Sequence, residues 1–177
     1  MKNKVLFTVD EANEAGKDWG FNCGPAAICA LLDKTPADIR PDLQDFEAKK
    51  YTNPRLMRAI LDGLKVSYRW EVVPVQYPKQ DIWYDNSLIR IQWGGPWTGP
   101  AQHWGARQRH THWIACRHNG ATSEIFDINA TCDGGWIPIK EWEEQLVPWL
   151  LRECEPKADG LWWQTHRCVI ERKEGKS

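Results

Sequence analysis

The chain has 177 residues, enough for one domain with its own core and too few for two. Hydrophobic residues make up 42% of it and charged residues 27%, a globular rather than a disordered composition. A net charge of −1 and a pI near 6.5 exclude the positive field that draws nucleic acids or anionic membranes, and no apolar run approaches the roughly 20 residues of a membrane span. Residues 1–177 are therefore expected to form a single domain with neither a nucleic-acid nor a membrane partner.

The N-terminal stretch MKNKVLFTVDEANEAG carries basic residues and a short apolar patch, then acidic residues and no cleavage site. It does not read as a signal peptide, which makes a cytoplasmic location the default. The first expected helix runs from about Gly24 to Leu32. GPAAICALL is apolar nearly all round, the signature of a buried helix. Pro25 sits just inside its start, Asn22 is its N-cap candidate, and Cys23 falls in its first turn. The polar stretch TPADIRPDLQDFEAKKYT leaves room for short helical turns. A second helix is predicted from Asn53-Pro54 to near Gly63, with Leu56, Ile60, Leu61 and Leu64 at helical spacing.

From Val66 the pattern changes to strands, in VSYRWEVV and then SLIRIQW. GGPWTGPAQHWGARQR reads as a long loop, of the kind that often carries function. HTHWIACRH and SEIFDIN follow as two strands joined at Asn119-Gly120, a strong hairpin signal. A third helix is predicted over Ile139 to about Val147, ended or kinked by Pro148. LWWQTHRCVIER is the last strand. Helices first and a mostly antiparallel sheet afterwards make an α+β fold.

The chain holds 12 tryptophans, which are expected mainly in the core. Its six cysteines, Cys23, Cys29, Cys116, Cys132, Cys154 and Cys168, form no CxxC pair and read as thiols rather than disulfides. Five suit small buried sites. Cys23 differs, because a helix N-terminus favours a thiolate and offers unbonded backbone N–H groups to an oxyanion. The hairpin can add a base and a group to orient it. On a strand, alternate residues share a face, so His110 and His112 lie together, as do Asp127 and Asn129. Parity alone selects neither His112 over His110 nor Asp127 over Asn129.

The stretch WGFNCGPAAICALL resembles the nucleophile motif of papain-like cysteine peptidases. It is closest to the double-glycine-leader peptidases of bacteriocin exporters and their soluble relatives. In that family a His opens an apolar strand and an Asp ends the next one. The matching residues here are His112 in HWIAC and Asp127 in EIFDIN. The resemblance implies a papain-like fold, with a buried N-terminal helix carrying the nucleophile against a mostly antiparallel sheet. It implies a Cys23–His112–Asp127 triad that hydrolyses peptide or protein amides through a thioester, with no metal or cofactor. The family usually places a Gln six residues before the nucleophile as an oxyanion donor, and this chain has Lys17 there. Beside the Cys23 N–H, the oxyanion candidates are Asn22, Trp19 and Lys17. Asn129 is the alternative orienter.

The long loop is expected to border the substrate groove, with Trp93, Trp97 and Trp104 as contact candidates. His103 and His110 read as solvated loop residues, and His118 and His166 as surface or strand residues. His110, His112, Cys116 and Cys132 fit no common zinc spacing. KEWEEQ reads as a solvated helix face and Gly94-Gly95 is too little for a phosphate loop. Two further readings share the same residues. One is a thiol acyltransferase resembling transglutaminases, the other a non-catalytic binding module on the same fold.

Overall fold

The computed structural model describes residues 5–77, 86–93, 110–118, 121–130, 135–152 and 162–171. Trp97, Trp104, His103, Cys132, Cys154, Gly94-Gly95 and the Asn119-Gly120 turn lie outside the described residues.

Helix α1 (Val9–Trp19) is absent from the expectations above, although its signals are in the sequence. Thr8 and Glu11 form a capping box, in which the Glu11 N–H donates to Thr8 Oγ1 at 3.1 Å and the Thr8 N–H to Glu11 Oε2 at 2.7 Å. Gly20, at φ +85°, closes the helix in the left-handed region. Helix α2 (Cys23–Leu32) is the expected buried helix, with Ala26 through Ala30 all in the core. The polar stretch after it folds into α3 (Pro36–Ile39), a 3₁₀ turn (Arg40–Asp42) and α4 (Phe46–Lys49). Asn53 caps α5 (Pro54–Gly63), which buries Leu56, Met57, Ile60 and Leu61.

The strands are β1 (Tyr68–Tyr77), β2 (Ser87–Trp93), β3 (His110–His118), β4 (Ser123–Phe126), β5 (Ile137–Pro138) and β6 (Trp162–Ile170). They form one six-stranded sheet in the order β1-β6-β2-β3-β4-β5, and every neighbouring pair is antiparallel. The chain is thus α+β. β2 and β3 occupy the expected residues, whereas β4 stops at Phe126, short of Asn129.

Alternation along the strands produces two apolar faces. Leu88, Trp113, Ala115, Phe126 and Cys168 pack with the N-terminal helices. Ile89, Ile91, Trp93, Ile114, Cys116 and Ile125 pack with Trp142 and Val147. Of the two outcomes expected at Pro148, an end or a kink, the end does not occur in the helix covering this second face. It runs through α6 (Ile139–Glu141), a π turn (Trp142–Leu146) and α7 (Val147–Arg152). Proline has no N–H and its ring strikes the carbonyl four residues back. Widening the preceding turn lets the helix pass Pro148, and the Val147 N–H reaches back five residues to the Trp142 carbonyl. Among the described residues, no helix is long and apolar enough to cross a membrane.

Among the tryptophans whose burial is described, Trp19, Trp93, Trp113, Trp136 and Trp142 are buried, Trp70 is half-buried and Trp149 is exposed, so most of these fill the core.

Candidate active site

The site begins with the cap of α2. Asn22 Oδ1 accepts from the Gly24 N–H at 3.3 Å, and Asn22 Nδ2 donates to the Lys50 carbonyl at 2.9 Å. This starts the helix at Cys23 and ties it to the end of α4. Gly24 fits because Thr52 presses against it, and a Cβ there would lie 2.2 Å from Thr52 Oγ1. The Thr52 carbonyl in turn accepts from Trp113 Nε1 at 2.7 Å, which fastens this corner to β3. Pro25 carries no N–H and the Ala26 N–H bonds the Asn22 carbonyl. The Cys23 N–H keeps no partner among the described residues.

β3 supplies the second group. β4 pairs with β3 only as far as Ala115 opposite Phe126, so among the described residues the start of β3 has an open edge. The Cys23 sulfur occupies that edge, where the Trp113 backbone N–H donates to it and the His112 ring hydrogen-bonds it. The helix with Cys23 packs on one face of the sheet and His112 belongs to the other, so the two side chains meet around the strand's unpaired edge.

Asp127 completes the group. Past Phe126 the chain leaves the ladder in a turn closed by the Ala130 N–H on the Asp127 carbonyl, at 3.0 Å. The turn swings the Asp127 side chain to His112, with Oδ1 2.7 Å from Nε2. Nε2 is thus engaged by the carboxylate, and Nδ1 is the nitrogen left for the sulfur. Oδ1 also accepts from the Asn129 N–H at 2.9 Å, and Oδ2 from Trp142 Nε1 at 2.9 Å. His112 is 3% exposed and Asp127 0%.

The electrostatics favour an ion pair. Burial is the largest single influence on Cys23 and disfavours its thiolate, but His112 and the Trp113 N–H together outweigh it, and the thiol titrates below its ordinary value. Burial likewise opposes a charged His112, yet Asp127 and Cys23 hold its titration well above the usual imidazole range. Asp127 is pulled down against its own burial by His112, Trp142 and the Asn129 N–H. The other cysteines behave oppositely. Burial pushes the Cys168 thiol up to about 12 and Cys29 higher still, and Cys29, Cys116 and Cys168 are all buried. Cys23 alone among the four described cysteines is half-buried as a residue, and the other three are buried.

The remaining candidates separate clearly. Asn129 is exposed and offers Asp127 its backbone N–H, so it is no alternative orienter. One amide hydrogen of Asn22 is committed to Lys50. Trp19 is buried edge-on to Phe21 and Phe46, and Lys17 lies on the exposed side of α1. Trp93 is only 8% exposed and lies edge-on to His112 at 6.3 Å. His110 corrects the reading of a solvated loop residue, because it opens β3 and stacks on Trp93 at 5.6 Å. His166 lies buried in β6 and His118 ends β3. Sequence reasoning missed Trp142, whose role depends on a helix turn that no local pattern announces, and Thr52, whose contact with Gly24 is long-range.

Comparison with known proteins matches the chain to no family model and to no curated protein.

Proposed function

We propose that this chain is a papain-like cysteine hydrolase that cleaves an amide bond of a peptide or protein, with Cys23 as nucleophile, His112 as acid and base, and Asp127 as orienter. One observation carries the reading. The thiol of Cys23, at a helix start and with its titration lowered, is hydrogen-bonded to an imidazole whose other nitrogen lies 2.7 Å from a buried carboxylate. The buried helix α2 against an antiparallel sheet, with His and Asp on neighbouring chain segments, supports the papain-like assignment.

The mechanism follows from the atoms. The Cys23 thiolate attacks the substrate carbonyl carbon and forms a tetrahedral oxyanion. The Cys23 N–H, unbonded at the first turn of α2, is positioned to donate to that oxygen. The oxyanion collapses, the C–N bond breaks, and His112 delivers its Nδ1 proton to the leaving amine. Neutral His112 then takes a proton from water, whose oxygen attacks the thioester. Cys23 leaves as thiolate and His112 is an imidazolium again. Asp127 remains ionised throughout and stabilises the imidazolium.

The test is labelling of wild type and His112→Ala with a thiol-directed activity probe, followed by mass-spectrometric mapping. Modification of Cys23 in wild type and its loss in the variant is the expected result. Equal labelling of both proteins, or modification of another cysteine first, refutes the assignment. Release of ammonia with incorporation of an added amine, instead of hydrolysis, would identify an acyltransferase.

A further inference from the structure

Asp127 holds its carboxylate against His112 from a position just beyond the end of β4. Two of its contacts are His112 itself and the N–H two residues ahead in its own turn, both on Oδ1. Oδ2 faces a different element, the helix on the second face of the sheet, through Trp142 Nε1 at 2.9 Å. Trp142 is wholly buried.

The direction of that indole depends on the local widening of its helix. In a regular α-helix, residues five apart point roughly 140° away from each other. Trp142 and Val147 are five apart, joined by the π-type bond from the Val147 N–H to the Trp142 carbonyl, and both face the same core. With α-helical winding and Val147 still buried, the indole would turn away from Asp127. The widened turn stands directly ahead of Pro148, which an α-helix would not accept without relief.

We propose that Trp142 is a positioning residue of the Cys23 site, with its indole N–H fixing the Asp127 carboxylate and the π turn ahead of Pro148 aiming that N–H. The idea rests on the reading of Cys23 as the nucleophile. Once Cys23 is a thiolate, the three side chains carry one net negative charge in buried surroundings. Each donor facing that charge stabilises it, and the Trp142 bond ties Oδ2 to the helix on the second face of the sheet.

The experiment measures the iodoacetamide alkylation rate of Cys23 against pH in the full chain, for wild type, Trp142→Phe, Pro148→Ala and Trp136→Phe. Trp142→Phe keeps a large ring and removes the donor. Its thiolate midpoint should rise by roughly one pH unit, the scale of one hydrogen bond to a charged group, with a loss of roughly tenfold in rate at pH values below the wild-type midpoint. Pro148→Ala allows the turn to rewind and should shift the midpoint in the same direction with every site side chain present. Trp136, buried in the other core beside Phe126, should leave the midpoint unchanged when converted to Phe. An unmoved midpoint in folded Trp142→Phe overturns the proposal, as does an equal shift in Trp136→Phe. If Trp142→Phe does not fold, Pro148→Ala decides, and no shift there overturns it. A wild-type midpoint in the ordinary thiol range would instead remove the nucleophile reading itself, so the two failures are distinguishable.

Discussion

Asp127→Asn preserves the side-chain shape at the heart of the site and deletes one charge. The carboxylate is 0% exposed and 2.7 Å from His112 Nε2. Two unit charges about 4 Å apart attract by about 4 kcal/mol at an effective dielectric of about 20. At roughly 1.36 kcal/mol per pH unit, this is about three units of His112 basicity. His112 is charged because Asp127 and Cys23 together overcome the cost of burial. Without Asp127 the proton returns to sulfur. An ordinary thiol, with a pKa of about 8.5, is only ~3% thiolate at neutral pH. The thiolate midpoint should therefore rise, by up to about three pH units if the full Coulomb attraction is lost. The assay is the ultraviolet absorbance of the thiolate titrated against pH, corrected with the matching Cys23→Ala protein. An unchanged midpoint in Asp127→Asn would refute the electrostatic account, because the charge held closest to the imidazole would then be without influence.

Two further outcomes follow from the same geometry. His112, raised in the fold, stabilises below its unfolded pKa of about 6.5, and this is lost as pH rises through its folded value; Cys23, lowered, stabilises above about 8.5 and loses this on acidification. Between those two pH values the folded ion pair and the unfolded neutral pair each hold one proton, so wild-type stability should be flat there and fall by up to ~1.4 kcal/mol per pH unit outside. Denaturant titrations should find wild-type stability level between about pH 6.5 and 8.5; a decline that sets in already above about pH 6.5 contradicts the ion pair. The depressed Asp127 adds stability present above about pH 3.9 and lost in acid. Gly24→Ala would set a methyl 2.2 Å from Thr52 Oγ1, and overpacking of this kind costs about 1–3 kcal/mol. The measured thermal midpoint should drop and be partly restored by Thr52→Ala; a rise in the single variant would count against the close approach.

Much of the fold is legible locally. GPAAICALL is apolar around its whole circumference and can only be a buried helix, and the β-branched runs at 87–93 and 110–118 have strand character that no neighbour needs to impose. α1 was equally legible from Thr8, Glu11 and Gly20, whose caps are short-range. Three features resist such reading. β6 inserts between β1 and β2, a long-range pairing with no local signal. β4 stops at Phe126 because the chain turns there, which the alternating pattern of SEIFDIN does not reveal. The helix continues past Pro148 because one wider turn removes the clash.

The sequence by itself determined the chemical types and their order: a thiol at a helix start, then imidazoles two apart on one strand, then a carboxylate and an amide two apart on the next. Helix capping and strand alternation act over a few residues, so they can be read without coordinates. Strand parity left the histidine and its partner open and the resemblance pointed to His112 and Asp127; the tertiary structure brings these two together where β3 outruns its neighbour and the chain turns. The same holds for the ionisation of Cys23, which depends on burial and on charges brought from residues about ninety and a hundred positions away.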